Sequence, residues 1–322
     1  MLDFLVLYNI SCYDNTMQRF NKKTMTIEGA TYDALLAQEL DVWSKYTSGG
    51  KSLSDFDEVK STHSYITYRK GTIEKEIGFI AGLQPNSKAL ELGSADGWLT
   101  NEILKLPNIT SVTSIDIALE DNKRKYSDKA YALRGDLNKI EKIPFTTTYD
   151  CIITHGTLHH LVDPRKTLRY CVDSLLTKNG LLIINDTWVL QPLQLKLNAA
   201  LFLVLNKLPH SILQGNLPLA LSLLFIKLPK ILFNTDYAES IAHAYETSPF
   251  ESISSADDYK DTYEDPSLEV LYFMQGAALP GLQNSWMSSP VWVKNCIQWL
   301  DDFLINHKLL CGDYHICVMR KR

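Results

Sequence analysis

The sequence predicts an α/β fold with a mostly parallel sheet and helices on both of its faces. Three observations carry that expectation. Between residues 85 and 187, short apolar runs alternate with stretches long enough for a helix, several runs are rich in β-branched residues, and glycine or turn residues bound them. Strands that are apolar on both sides belong to sheets covered on both faces.

The first strand is expected at Ala89–Leu92, followed by Gly93, Gly97 and a helix. Ser111–Ile117, Ala130–Arg134 and Asp150–Thr154 supply the second, third and fourth. Leu168–Leu176 reads as a helix stopped by Asn179-Gly180, and Leu181–Asn185 as the fifth strand. After Asp186 the alternation ends. Residues 188 to about 235 are rich in Leu and Pro and read as two or three apolar helices broken at Pro209, Pro218 and Pro229. Strand signals return at Leu268–Phe273 and Tyr314–Met319, with a helix over Val291–Ile305 between them. Upstream, Leu35–Trp43 is helical, with Leu36, Leu40 and Trp43 at helical spacing. Ser48–Ser52 is a flexible loop, and Ser61–Gly82 gives one or two helices entering the core. The expected organisation is an N-terminal helical cap over 1–75, a core over 76–187, a helical lid or insertion over 188–266, and the rest of the sheet over 267–322.

Composition narrows the function. The chain has 322 residues, 45% hydrophobic and 21% charged, ordinary for a globular protein with a sizeable core. Its net charge is −5 with Lys and Arg scattered, which argues against nucleic acid as a partner. The six cysteines, at 12, 151, 171, 296, 311 and 317, form no C-x-x-C pair and read as reduced thiols of a cytoplasmic protein. No signal peptide is evident, and the apolar runs at 199–205 and 217–226 are too short to span a bilayer.

Ala89-Leu90-Glu91-Leu92-Gly93-Ser94-Ala95-Asp96-Gly97-Trp98 reads as strand, small-residue turn and helix start. Such a turn lets a ligand approach the backbone and the first amides of the helix. The dinucleotide pattern G-x-G-x-x-G would need a third glycine at position 98, and Trp98 stands there. The pattern [DE]-x-G-x-[GA]-x-G fits as Glu91, Gly93, Ala95 and Gly97. An acid, Asp116, closes the second strand; Gly135-Asp136-Leu137 follows the third; His155 to Pro164 contains Leu158-His159-His160 and Asp163-Pro164 after the fourth.

In these residues the sequence resembles the class I S-adenosylmethionine (SAM) dependent methyltransferases, small-molecule type, well over about 75–187 and loosely over 267–322. The resemblance implies a Rossmann-like sheet of seven strands and SAM as cofactor. It implies cofactor contacts at Glu91, Gly93, Ser94, Ala95, Asp96, Gly97, Asp116, Ile117, Asp136, Leu137 and His155. The departure from the family pattern is Ala95 in place of the middle glycine.

Each of these residues has a structural alternative. Glu91 can brace the turn, and Asp116 can cap a helix. His155 and His159 are the expected catalytic candidates, as base toward an acceptor, while His160 is expected to pack beneath the sheet. A metal site is not expected, because the carboxylates that accompany histidine in metal-binding relatives are absent here. Tyr65, Tyr68 and Arg69 have both a methionine-end role and a packing role open to them.

The expected reaction is methylation of a small, partly apolar acceptor, most simply at a hydroxyl, in secondary or specialised metabolism. N- and C-methylation remain open. So do an NAD-dependent oxidoreductase, against which Trp98 speaks, and a non-catalytic scaffold. The apolar helices after Asp186 read as a lid or a homodimer contact, with a peripheral membrane contact as a third reading.

Overall fold

The computed structural model describes residues 20–21, 26–27, 30–48, 64–95, 97–118, 129–187, 192–204, 211–212, 214–234, 257–276, 291–312 and 314–322. Strands β1 (Phe20–Asn21), β2 (Thr26–Ile27) and β3 (Ala30–Thr31) form a small antiparallel sheet ahead of helix α1 (Tyr32–Ser48). No strand signal marks these residues in the sequence, since two-residue pairings leave no periodicity to read. Helix α2 (Ser64–Ala81) runs unbroken past residue 75, where the sequence placed a boundary. The rest of the loop at 48–52 lies outside the described residues.

The core then alternates. Strand β4 is Ser87–Leu92, helix α3 Trp98–Leu104, β5 Ile109–Asp116, β6 Ala130–Arg134 and β7 Tyr149–His155. Helix α4 (Pro164–Tyr170) is capped by Asp163, which accepts from the Lys166 amide, and carries Pro164 in its first turn. It continues through a π turn at Cys171–Leu175 into β8 (Leu176–Thr187). The expected stop at Asn179-Gly180 instead lies inside β8. Asn179 takes φ +64°, and the pairing of β7 with β8 shifts between Tyr149 and Cys151, so the strand absorbs an irregularity there.

Helices α5 (Pro192–Phe202), α6 (Leu217–Ser222) and α7 (Leu228–Phe233) lie in the first part of the expected insertion, whose last described helix is at 257–263. Pro218 and Pro229 sit in the first turns of α6 and α7, and Pro209 is outside the described residues. Pro229 does not break the path, because a π turn at Leu223–Lys227 joins α6 to α7 where a proline would otherwise clash with a carbonyl one turn back. Helix α8 (Asp257–Tyr263), strand β9 (Leu268–Gly276), helix α9 (Val291–Asn306) and strand β10 (Tyr314–Lys321) complete the chain.

Seven strands form the central sheet in the order β6-β5-β4-β7-β8-β10-β9. The first five are parallel and β10 is antiparallel to both of its neighbours. The fold is the Rossmann-like α/β sheet that the sequence predicted. Both faces are apolar, as the alternation of side chains requires. Leu90, Leu92, Ile152, Leu182 and Ile184 pack with Leu168 of α4 and Tyr259 of α8 on one face. Ala89, Cys151, Ile153, Leu181 and Ile183 pack with Ile80 of α2 and Ile103 of α3 on the other. The chain order reverses direction at β4 and β7, and in open α/β sheets ligands bind outside the carboxyl ends of the strands at that point.

Among the described cysteines, 151, 171, 311 and 317 are buried and 296 is exposed, all as free thiols. Burial pushes the Cys171 thiol up to about 12.

His315 is fully buried in β10, edge-on to Tyr259 with ring centroids 4.9 Å apart. Burial pushes it down to about 3, against the pull of the nearby Asp186 carboxylate. A histidine depressed in the fold takes no proton while the unfolded chain does. Its contribution is therefore whole above the ordinary histidine pKa and is lost as pH falls from there, by up to about 1.4 kcal/mol per pH unit. In denaturant titrations from about pH 7 to about pH 5, His315→Phe is expected to flatten that decline. An unchanged slope would contradict the assignment.

Candidate active site

The turn after β4 and the acid that ends β5 are joined directly. Register places Leu92 beside Ile115, and the amides of Gly93 and Ser94 both donate to the Ile115 carbonyl, at 2.8 and 3.0 Å. The next amide, Ala95 N, donates to Asp116 Oδ2 at 2.7 Å, and Ala118 N donates to Asp116 Oδ1 at 2.8 Å. A nearly buried carboxylate is thus fixed at the mouth of the turn. The turn amides of Gly93, Ser94 and Ala95 are thus held by β5. What the turn offers is close backbone approach.

That approach explains the small residues. Gly93 has φ +72°, and a Cβ there would stand 2.1 Å from Thr157 Oγ1. Ala95 has φ +43°, so it adopts the left-handed backbone a glycine would take; the departure from the family pattern adds a methyl group without changing the path of the chain. Asp96 lies outside the described residues. Glu91 sits beneath the turn, where it accepts a hydrogen bond from Thr100, whose hydroxyl is also 2.7 Å from Ser114 Oγ. It braces β4 against α3 and β5. Ile117 follows Asp116, and its carbonyl accepts from Arg134 Nε at 3.2 Å.

Asp136 caps the short 3₁₀ turn at Leu137–Lys142, accepting from Asn138 N at 2.9 Å. Its other oxygen accepts from the hydroxyl of Tyr32 in α1 at 2.8 Å. Burial, and then the carboxylate itself, pushes the Tyr32 phenol well up, so it stays a donor. Leu137 is buried in the core beside it.

The histidines divide between the faces of the sheet. Successive residues of β8 point to opposite faces, and its end carries Asn185 then Asp186. On one face, Glu76 of α2 lies 3.1 Å from His155 Nδ1 and also accepts from Asn185 Nδ2. Asn185 Nδ2 also stands 3.0 Å from His155 Nδ1, so an imidazole and an amide meet at one fully buried carboxylate. On the other face, Asp186 meets His159 Nδ1 at 2.5 Å and accepts from the amides of Leu158, Thr157 and Thr187 at 2.6, 3.1 and 2.8 Å. Burial opposes the charge of Asp186, yet His159, His315 and the Thr187 amide outweigh it and hold the carboxyl at about 2. His160 packs beneath, its ring 4.0 Å from that of His159 and its Nδ1 3.3 Å from Glu39; burial pushes it well down.

The structure therefore brings Gly93, Ser94, Ala95, Gly97 and Asp116 together, with His155 at the carboxyl end of the adjacent β7. Asp136 and Leu137 stand one strand further out, after β6. Sequence reasoning missed Glu76, Tyr32 and Thr157. The side chains of Tyr65, Tyr68 and Arg69 lie outside the described ones.

Residues 83–220 match the model of a family described as a methyltransferase domain. No curated protein matches the chain significantly. Solved structures resemble it at low identity. One, assigned as a sarcosine dimethylglycine methyltransferase from Galdieria sulphuraria, is 15% identical, covers 78% of this chain and 83% of its own, and has a TM-score of 0.44. A Haloferax volcanii complex of the Trm112 methyltransferase activator with a methyltransferase is 12% identical, with 87% and 97% covered and a TM-score of 0.48. The cyclopropane synthase MmaA2 from Mycobacterium tuberculosis is 13% identical, with 78% and 83% covered and a TM-score of 0.44. At those scores the likenesses carry no argument about activity, which rests on the family match and on the geometry.

Gly93→Ala is expected to destabilise the protein by about 1–3 kcal/mol, combining a left-handed φ with a clash on Thr157. Adding Thr157→Gly is expected to recover the steric part, measured by denaturant unfolding. Full additivity of the two losses would show that the contact is not there.

Proposed function

We propose that this chain, whose residues 83–220 form a class I SAM-dependent methyltransferase domain, methylates a hydroxyl of a small, partly apolar acceptor with His155 as the base. The observation that carries the reading is the His155–Glu76–Asn185 cluster at the carboxyl end of β7, next to the turn after β4.

The residues present fit the cofactor. A carboxylate fixed by two amides at the mouth of the turn after β4, Asp116, suits a ligand that carries a sugar. Gly93, Ser94, Ala95 and Gly97 would hold the methionine portion, Asp116 the ribose hydroxyls, and Asp136 with Leu137 and Ile117 the adenine side. Bound SAM supplies an electrophilic methyl group on a sulfonium sulfur. The protein contributes alignment of the acceptor and exclusion of water, and orientation of this kind lowers barriers by up to roughly 7–11 kcal/mol.

His155 adds proton removal. In the tautomer in which Nδ1 donates to Glu76, Nε2 is the basic nitrogen, and it takes up the proton that the acceptor hydroxyl gives up. Glu76 fixes the tautomer and stabilises the imidazolium that forms, the role a buried carboxylate plays beside any catalytic histidine. His159 has the same kind of partner, but Asp186 also binds three backbone amides. That pair orders the loop after β7.

Asp116→Ala is expected to weaken SAM binding by about 10- to 100-fold in calorimetry, the scale of a lost charge-assisted hydrogen bond. Undiminished affinity would remove Asp116 from the site. His155→Ala is expected to lower kcat by about 10²–10⁴-fold with SAM affinity kept, and Glu76→Gln to lower it by roughly ten-fold or more. The readout is S-adenosylhomocysteine formed with hydroxylated acceptors. Full turnover in both variants would refute the base assignment.

A further inference from the structure

Helix α1 precedes the alternating core, yet Tyr32, Leu35 and Glu39, at helical spacing, are buried. Glu39 reaches His160 in the loop after β7, and Tyr32 reaches the turn after β6. These two loops are themselves joined, because Asn138 Oδ1 accepts from Val162 N at 2.8 Å. The first residue of α1 is thus set against a fixed turn.

That turn holds the Tyr32 ring from two sides. The hydroxyl donates to Asp136 Oδ2 at 2.8 Å, and Lys139 Nζ lies over the ring, 4.8 Å from its centroid and 3.7 Å from the same Oδ2. Asp136 Oδ1 accepts from Asn138 N. Each oxygen of the carboxylate therefore takes a hydrogen bond from the protein, and a carboxylate oxygen can take two. The Asn138 amide belongs to the turn that Asp136 caps. Tyr32 is the partner from outside it, and it fixes the direction of the second oxygen. Asp136 is also tied to Asp116, the acid proposed for the ribose: Gly135 N donates to the Asp116 carbonyl at 3.1 Å. A nucleoside whose sugar is held at Asp116 brings its base toward the turn after β6. A carboxylate accepts and does not donate, so an oriented Asp136 favours a base that offers an N–H. We propose that Tyr32 is a positioning residue that aims Asp136 at the amine of adenine and so makes the cofactor site selective for that base; the inference rests on the SAM reading of the site.

The test is calorimetry of the full chain with S-adenosylhomocysteine and with its analogue in which hydrogen replaces the adenine amine. The wild-type chain is expected to prefer S-adenosylhomocysteine roughly ten-fold or more, the scale of a hydrogen bond to a charged group. Tyr32→Phe keeps the ring and removes the hydroxyl. It is expected to shrink that preference to about three-fold or less by weakening S-adenosylhomocysteine, with affinity for the analogue unchanged. In an Asp136→Ala background, Tyr32→Phe is expected to leave the ratio of the two affinities as it is. Circular dichroism checks that each variant stays folded. Equal weakening of both ligands would make Tyr32 a support for α1 alone, and tighter S-adenosylhomocysteine binding would mean that the hydroxyl occupies the place of the amine. Either result overturns the proposal, as does a wild-type preference that Tyr32→Phe leaves intact. A wild-type chain that binds neither ligand defeats the SAM reading itself, and this inference falls with it.

Discussion

The carboxylate of Asp186 is the interaction on which the carboxyl edge of the sheet depends. It is buried, ionised and surrounded by donors: three main-chain amides and one imidazole. A buried charge is tolerated only when such bonds replace its water. Two of the amides belong to Thr157 and Leu158, so the charge sets the path of the chain leaving β7. That path presses Thr157 against Gly93, so any Cβ at the turn after β4 would have to displace Thr157. The turn in turn reaches Asp116 through the Ala95 amide. A run of short polar contacts therefore links β8, β7, β4 and β5 across the edge where the ligand is expected.

The parts of this arrangement that were legible in the sequence are those whose signal is local. Buried parallel strands are short apolar runs, and Ala130–Arg134 was placed to the residue. Asp116 was found because a strand must end near it. Glu76 was missed because Glu74-Lys75-Glu76 reads as a solvated charge run, and two of the three are indeed exposed. A signal was there. Ile73, Ile77 and Ile80 mark the inner face of α2, and position 76 falls on that face, three residues after Ile73 and four before Ile80. A charge on an apolar stripe is the mark of a partnered carboxylate. Tyr32 and Thr157 had no such mark, because their partners, Asp136 and Gly93, are distant in sequence and come near only through the sheet.

The prolines after Asp186 show the same limit from the other side. Proline was expected to break helices, and at 218 it starts one. At 229 the helical path survives because a π turn precedes it. Whether a proline ends an element depends on how the carbonyl one turn earlier is placed, which the sequence does not state.

The two histidine–carboxylate pairs look alike in isolation, and their surroundings separate them. Asn185 and Asp186 are neighbours in the chain, but the strand sends one to each face. On the α2 face, Glu76 receives side-chain donors only, from His155 and Asn185. Its bonds fix the ring of a histidine that ends β7 beside the turn. On the other face, Asp186 is bound to the backbone, and the ring of its histidine lies tilted against that of His160. Losing the first pair leaves the loop in place and removes an oriented imidazole. Losing the second frees the loop that sets Gly93. With His155 as the proposed base, the alternation of a single strand puts the proposed chemistry on one face of the sheet and the ordering of the loop on the other.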